Sequence, residues 1–321
     1  MSVTSLWADE SAYWPIAFEP YTPAHHFKGG KQDPTFRTKL KIARELVELS
    51  VEEGIPFRAV VADSFYGEDE DFKSSLEELG VGYVLALKPS HAWWHKIGEI
   101  GSPWEVALAA SEAWKGTQDP GDWIEVVRSF RDGHEEERWW ALEVDVGPYG
   151  PQRTRRAVVA TTDPKELPDK ATCYLVSNLP TPASERAQES DLTAADLSEI
   201  VRLYGLRMWV EQSYKQVKHV LGWSDYQVRS DLAIRRHWQL VCCAFTFCWW
   251  AYGRLPTEEM AQTDDDPPAD YSEGRGEKEA PGILAGGFEG SKGVVGAVDH
   301  AEAILEGILR DAPTTGAKSA A

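Results

Sequence analysis

Residues 204–218 read YGLRMWVEQSYKQVK. Within this stretch Tyr204, Arg207, Glu211 and Lys218 place one carboxylate among two cations and a phenol. The flanking sequence from Asp191 to Gly222 holds good helix formers and no proline. The spacing predicts one helix, with N-cap chemistry at Asp191 and Thr193 and a stop at Gly222. An α-helix turns about 100° per residue, so with Tyr204 at zero Arg207 falls near ~300°, Glu211 near ~340° and Lys218 near ~320°. Lys215, near ~20°, lies beside them on the same face. Gly205 is the weak point of this run, costing about 1 kcal/mol relative to alanine. Two readings stand at this point: a solvated charged face, or a metal-binding carboxylate flanked by groups that contact phosphate.

Working outward, 42% hydrophobic content over 321 residues suffices for a packed core. There is no run of about eighteen apolar residues, so no membrane span is expected. The start, MSVTSLWADESAYWP, lacks the basic and apolar regions of a signal peptide, which predicts a cytoplasmic protein. Of the four cysteines, Cys242, Cys243 and Cys248 lie in the apolar QLVCCAFTFCWW and Cys173 in TCYLVSN; all are expected to be buried small hydrophobes without zinc-ligand spacing. The net charge of −19 argues against simple nucleic-acid binding, but it is unevenly spread. Residues 202–238 hold seven basic against three acidic residues, whereas 253–321 hold six basic against fourteen acidic. The predicted helix therefore lies in a locally basic island, and local charge decides where a polyanion docks.

The chain changes character along its length. Residues 1–20 read as strands around a turn at Ala8–Ser11, and FRTKLKIARELVELSVEE (36–53) has apolar residues at helical spacing. FRAVVADSFYG reads as a short buried strand, DEDFKSSLEEL (69–79) as a helix and VGYVLALKP as another strand. This β-α-β rhythm predicts an α/β core over 1–90. From 91 to 180 tryptophans crowd in and alternating segments such as RWWALEVDV and RRAVVATT predict a β-rich insertion. Residues 181–252 are helical again. The tail, 253–321, is acidic and rich in Pro and Gly and is expected to be disordered, save for a short amphipathic helix near 297–310.

Asp63 directly follows the apolar run Ala59-Val60-Val61-Ala62. A functional group at the carboxyl end of a core strand is a recurrent α/β arrangement. The plainer role, capping the helix at 69–79, places Asp63 several residues too early. Two-metal phosphoryl transfer needs oxygen ligands from different core elements, and Asp63 with Glu211 makes one half of such a site.

With these residues in view, the sequence resembles the insertion-sequence transposases of the DDE superfamily. Tyr204, Arg207, Glu211 and Lys218 match the YREK signature; VVADSFYG resembles the segment of the second aspartate. YLVSNLP resembles the strand before the glutamate helix, and LGWSDYQVRSDLAIRRHW the block after it. The resemblance covers about residues 3–250. It implies a ribonuclease-H-like core interrupted by a β-rich insertion, two Mg²⁺ ions (with Mn²⁺ able to substitute), and DNA strand cleavage and strand transfer at transposon ends. Asp63 and Glu211 are then the second and third acidic ligands, and Tyr204, Arg207, Lys215 and Lys218 contact DNA phosphates. The implied partners are double-stranded DNA, as transposon ends and target, and a second transposase subunit in a homodimer or a mixed dimer with full-length transposase. A prokaryotic cytoplasm, at the nucleoid, is the implied location.

The sequence departs from this pattern in one respect. No first aspartate on a first core strand is visible, and SVTSLWADESAYWPIAFEPY reads as the second and third strands. Asp9 sits in the expected hairpin turn and Asp33 in a loop, neither suited to the role. These features predict a chain truncated at its N-terminus, with a bare sheet edge where the first strand belongs. A truncated chain of this kind is expected to be inactive; the alternative is a non-catalytic fragment that binds DNA or full-length transposase and inhibits transposition.

Overall fold

The structure is a computed structural model that describes residues 2–10, 12–96, 99–130, 135–146, 155–182, 184–219, 221–223, 230–252 and 294–299. An N-terminal hairpin of β1 (Ser2–Ala8) and β2 (Tyr13–Pro20) turns where expected. The Asp9 carboxylate accepts the Ala12 N–H at 2.8 Å, so Asp9 closes the turn. Helix α1 (Lys39–Glu52) starts where the Thr38 side chain accepts the Lys41 N–H, and it buries Ile42, Ala43, Leu46 and Val47. It is followed by Gly54, which takes a positive φ of 67° open to glycine. Strand β3 (Ala59–Ala62) is buried on both faces, as its unbroken apolar run requires of a parallel strand. The short helix α2 (Ser64–Gly67), helix α3 (Glu70–Glu78) and β4 (Tyr83–Ala86), parallel to β3, complete the β-α-β unit.

Beyond β4, strands β5 (Trp93–Lys96) and β6 (Glu99–Gly101) pair in a small separate sheet. Helix α4 (Pro103–Ala113) opens with a reciprocal cap between Ser102 and Glu105. Strands β7 (Ile124–Phe130), β8 (Glu135–Val146), β9 (Arg155–Thr161) and β10 (Thr172–Ser177) are antiparallel, and β10 joins β4. Four helices follow: α5 (Glu185–Glu189), α6 (Leu197–Gly205), α7 (Met208–His219) and α8 (Asp231–Tyr252).

The large sheet runs β2-β1-β11-β3-β4-β10-β9-β8-β7, where β11 is Val294–Asp299. Strand β11 pairs antiparallel with β1, from Val3↔Asp299 to Ala8↔Val294, and parallel with β3, from Val294↔Ala59 to Ala297↔Ala62. The bare edge expected beside the hairpin is thus occupied, by a segment from within the stretch expected to be disordered. VVGAVD is a β-branched run in a polar surrounding, and an inner slot offering two rows of backbone partners favours it over solvent. The helix expected near 297–310 cannot begin before β11 ends at Asp299; residues 300–310 and 253–293 lie outside the described residues.

Alternation along the sheet builds two cores. On one face Leu6, Val61, Val84, Ile200, Leu203, Val210, Tyr214 and Phe245 pack together under α6–α8. On the other Val3, Ile42, Val47, Val60, Tyr66, Leu76 and Leu85 pack under α1 and α3. Val60 and Val61 serve opposite cores at 0% and 1% exposure, each side chain contributing about 1.5 kcal/mol by burial. A mixed sheet between two helix layers is a mixed α/β architecture compatible with a ribonuclease-H-like fold. The expectation of four buried cysteines is half met: Cys173 and Cys242 are half-buried, while Cys243 and Cys248 face out from α8, because α8 lays only one side on the sheet. Among the described residues no helix is long and apolar enough to cross a membrane.

Candidate functional site

Asp63 stands at the carboxyl end of β3 and caps α2, its Oδ1 accepting the Phe65 N–H at 3.0 Å. The cap of α3 is Asp69, which accepts the Phe72 N–H at 2.7 Å. Helix α2 is clamped against the sheet. Tyr66 is fully buried, and a Cβ on Gly67 would stand 1.8 Å from the Ala86 carbonyl oxygen, so only glycine fits where α2 crosses the end of β4. The exit is held by Glu68, which accepts the Lys88 N–H at 2.9 Å and lies 3.1 Å from His91. Asp63 is therefore placed by the most rigid part of the sheet.

The second half of the site differs from the continuous helix expected over 191–222. The chain forms α6 and α7 with a break at Leu206-Arg207. The break follows Gly205, whose ideal Cβ would lie 2.7 Å from Nη1 of Arg128 on β7. A strand distant in sequence thus requires a small residue where the helix ends. Nor do Asp191 and Thr193 cap α6; Asp196 does, accepting the Glu199 N–H at 2.7 Å. The start of α6 is tied down by two buried arginines. Arg58 donates to Glu199 at 2.8 Å and to the carbonyl oxygens of Thr193 and Ala194. Arg156 grips Glu143 through both carboxylate oxygens, at 2.6 and 2.7 Å, and reaches the carbonyl oxygens of Leu179 and Ala195. Helix α7 is held by a stack of Trp209 on Tyr13, with ring centroids 4.8 Å apart, and by the Tyr13 hydroxyl donating to Gln216 at 2.5 Å.

Because of the break, Arg207 precedes α7 instead of lying on a shared helix face with Tyr204. The four residues still meet. The Arg207 guanidinium lies 3.2 Å from Glu211 and 5.7 Å from the centre of the Tyr204 ring. Burial pushes the Tyr204 phenol up to about 12, against the opposing pull of Arg207. Burial alone would lower Arg207, but Tyr204, Glu211 and Asp63 together hold it above its usual range. Asp63 is felt by both Tyr204 and Arg207, so the end of β3 and the start of α7 form one electrostatic cluster. Lys215 and Lys218 follow Glu211 at helical spacing of four and seven, on the same side of α7. Lys215 is exposed; Lys218 is half-buried, and burial lowers its pKa.

Asp63 and Glu211 offer hard carboxylate oxygens, the donor type that Mg²⁺ prefers. Among the described residues no group of three His, Cys, Asp or Glu forms a metal cluster. The pair therefore fits a divalent ion in kind and supplies part of a two-ion donor set. The sequence reading missed one position. Asp299 ends β11, and Ala297, two residues before it, pairs with Ala62, which directly precedes Asp63. Two parallel neighbours thus end in acidic residues at the same edge of the sheet. The signal was a short β-branched run closing on Asp, hidden in a tail of otherwise polar composition.

The family model for the DDE superfamily endonuclease matches residues 2–142. The chain is also 32% identical over 216 residues to a probable transposase for insertion sequence element IS701 from Microchaete diplosiphon. That match covers 67% of this chain and 47% of the relative, so the chain spans about half the relative's length.

Proposed function

The chain belongs to the DDE superfamily of insertion-sequence transposases, and on that premise we propose that it cleaves DNA strands at transposon ends and joins the freed ends to target DNA. The observation that carries this reading is the single cluster of Asp63, Tyr204, Arg207 and Glu211, drawn from two separate parts of the chain. Enzymes of this superfamily generally use divalent metal ions. In this reading Asp63 and Glu211 hold Mg²⁺ in a two-ion site, with Mn²⁺ able to substitute. Such ions stabilise the charge on the attacking and leaving oxygens of the phosphodiester.

The remaining residues bind and orient the DNA. Arg207 presents a planar guanidinium to a phosphate beside the cleaved bond, and Tyr204, neutral at physiological pH, donates a hydrogen bond to the same group. Lys215 and Lys218 continue the contact along α7, and each phosphate neutralised releases counterions. The strands between 93 and 177 form the insertion that separates Asp63 from Glu211 in sequence. The DNA is double-stranded, the active form is a homodimer or a mixed dimer with full-length transposase, and the work is done in the cytoplasm at the nucleoid.

One observation favours a second reading. Glu211 is already ion-paired with Arg207, which lowers its availability to a metal. In that case the chain binds DNA or an intact transposase without cutting, and inhibits transposition. Nicking of a labelled transposon-end duplex separates the two. Mg²⁺-dependent nicking that is lost in Glu211→Gln and Asp63→Asn supports catalysis. Nicking that persists unchanged in Glu211→Gln sinks the assignment of the site. Salt-sensitive binding without nicking leaves the second reading.

A further inference from the structure

Next to Asp63 the structure holds an aromatic group that the cluster above does not use. Phe65 is 46% exposed, although its neighbours Tyr66 and Gly67 are the most tightly held residues of α2. Its backbone N–H binds the Asp63 carboxylate at 3.0 Å. Its ring meets the Tyr66 ring edge-on, with centroids 5.1 Å apart, so the side chain is braced from below and open above. The ammonium of Lys39, at the start of α1, stands 5.8 Å from the Phe65 ring centre and 5.3 Å from that of Tyr21, just after β2. Three segments therefore converge on one cation between two rings, at the rim where Asp63 lies.

We propose that Phe65 is a stacking platform for an unpaired nucleobase beside the cleaved phosphate, with Lys39 holding the phosphate of that nucleotide. The inference rests on the DNA-cleaving reading and names how the site receives its substrate. A rigid, exposed aromatic face is what base stacking requires, and it accepts any base because every base has a π-face. A fixed ring loses little side-chain freedom on binding, and a neighbouring ammonium suits the anionic backbone of a stacked strand. Cleavage near a duplex end needs the reacting strand to leave its partner, and stacking on Phe65 offsets the lost pairing.

The test uses the full chain in EDTA and a duplex carrying one unpaired 2-aminopurine at its end. Wild-type protein should quench the 2-aminopurine on binding. Phe65→Ala should abolish the quench and weaken binding of this duplex about ten-fold, the scale of one base–aromatic stack. Binding of a blunt duplex should not change. Phe65→Trp should restore both quench and affinity, which guards against a variant that merely misfolds. Lys39→Gln should reduce the salt dependence of binding by about one counterion. Equal quenching by wild type and Phe65→Ala, or equal weakening on both duplexes, overturns the proposal. Wild-type protein that binds and nicks without quenching sinks the platform alone; wild-type protein that binds no DNA sinks the platform and the DNA-cleaving reading together.

Discussion

Replacing Gly67 with alanine tests the rigid seating of Asp63 most directly. The added methyl would lie 1.8 Å from the Ala86 carbonyl oxygen, 2.9 Å from its carbon and 3.2 Å from the Leu85 Cβ. Ordinary contact begins near 3.4 Å, so α2 or β4 must shift by more than an ångström. Neither is free to do so. The Ala86 oxygen belongs to a core strand, and α2 is pinned by its Asp63 cap, the buried Tyr66 and the Glu68 contacts. Overpacking of this severity costs about 3 kcal/mol. Thermal melting should fall by about 6–12 °C for a domain of this size. The shift that relieves the clash moves Asp63, and a misplacement of about 1 Å costs on the order of 100-fold in rate. Melting and Mg²⁺-dependent nicking, measured on the same preparation, should both drop. Gly54→Ala is the matched control: nothing lies within 4 Å of its Cβ, but its φ is +67°. It should cost about 1 kcal/mol through backbone strain alone and leave the nicking rate unchanged. A Gly67→Ala protein that melts within about 1 °C of wild type and nicks normally would refute the clamp.

Further outcomes are expected elsewhere. Arg58→Ala leaves Glu199 and two carbonyl oxygens without their donor, and should destabilise the protein by about 3 kcal/mol in urea unfolding, with a matching loss of α6 protection in hydrogen exchange. Asp299→Asn should preserve melting yet remove nicking if position 299 serves the site at the end of β11; unchanged nicking would exclude that role. Stability should hold up to pH 10 and fall as the pH rises towards 12, because the unfolded tyrosines lose their protons near 10.0 while Tyr13, Tyr174 and Tyr204 keep theirs to about 12. Tyr204→Phe should remove up to about 3 kcal/mol of that alkaline loss, read from urea midpoints at pH 9 and pH 11.5.

The elements written in local sequence were legible. Ala59–Ala62 is an unbroken apolar run followed by Asp63, and 36–53 has helical periodicity, so β3, α1 and the candidate position of Asp63 could all be read. The tetrad was recognisable as a set of residues but its geometry was not. The break at Gly205 is imposed by Arg128, a residue of another strand whose approach leaves no mark on the local pattern. The N-cap was misplaced for a related reason: Asp191, Thr193 and Asp196 all offer an oxygen, and Arg58 and Arg156 decide where the helix starts by binding the carbonyl oxygens of Thr193, Ala194 and Ala195. Strand β11 was hidden because its neighbours in sequence are polar, whereas its partners Val3–Ala8 and Ala59–Ala62 lie hundreds of residues away.

That last pairing has a consequence for biosynthesis. Val3 pairs with Asp299, so the inner neighbour of β1 is translated some 290 residues after β1 itself. At about 5–20 residues per second the ribosome needs about 15–60 s to cover that distance. Throughout that interval the hairpin has β2 on one side and an unfilled row of amide and carbonyl groups on the other. The two halves of the sheet, β2-β1 and β3-β4-β10-β9-β8-β7, can each assemble on the ribosome, but they are joined only when β11 emerges between them. Nascent chains that pause before that point carry two complementary open edges, and they are the species that chaperones must shield from one another on a crowded polysome.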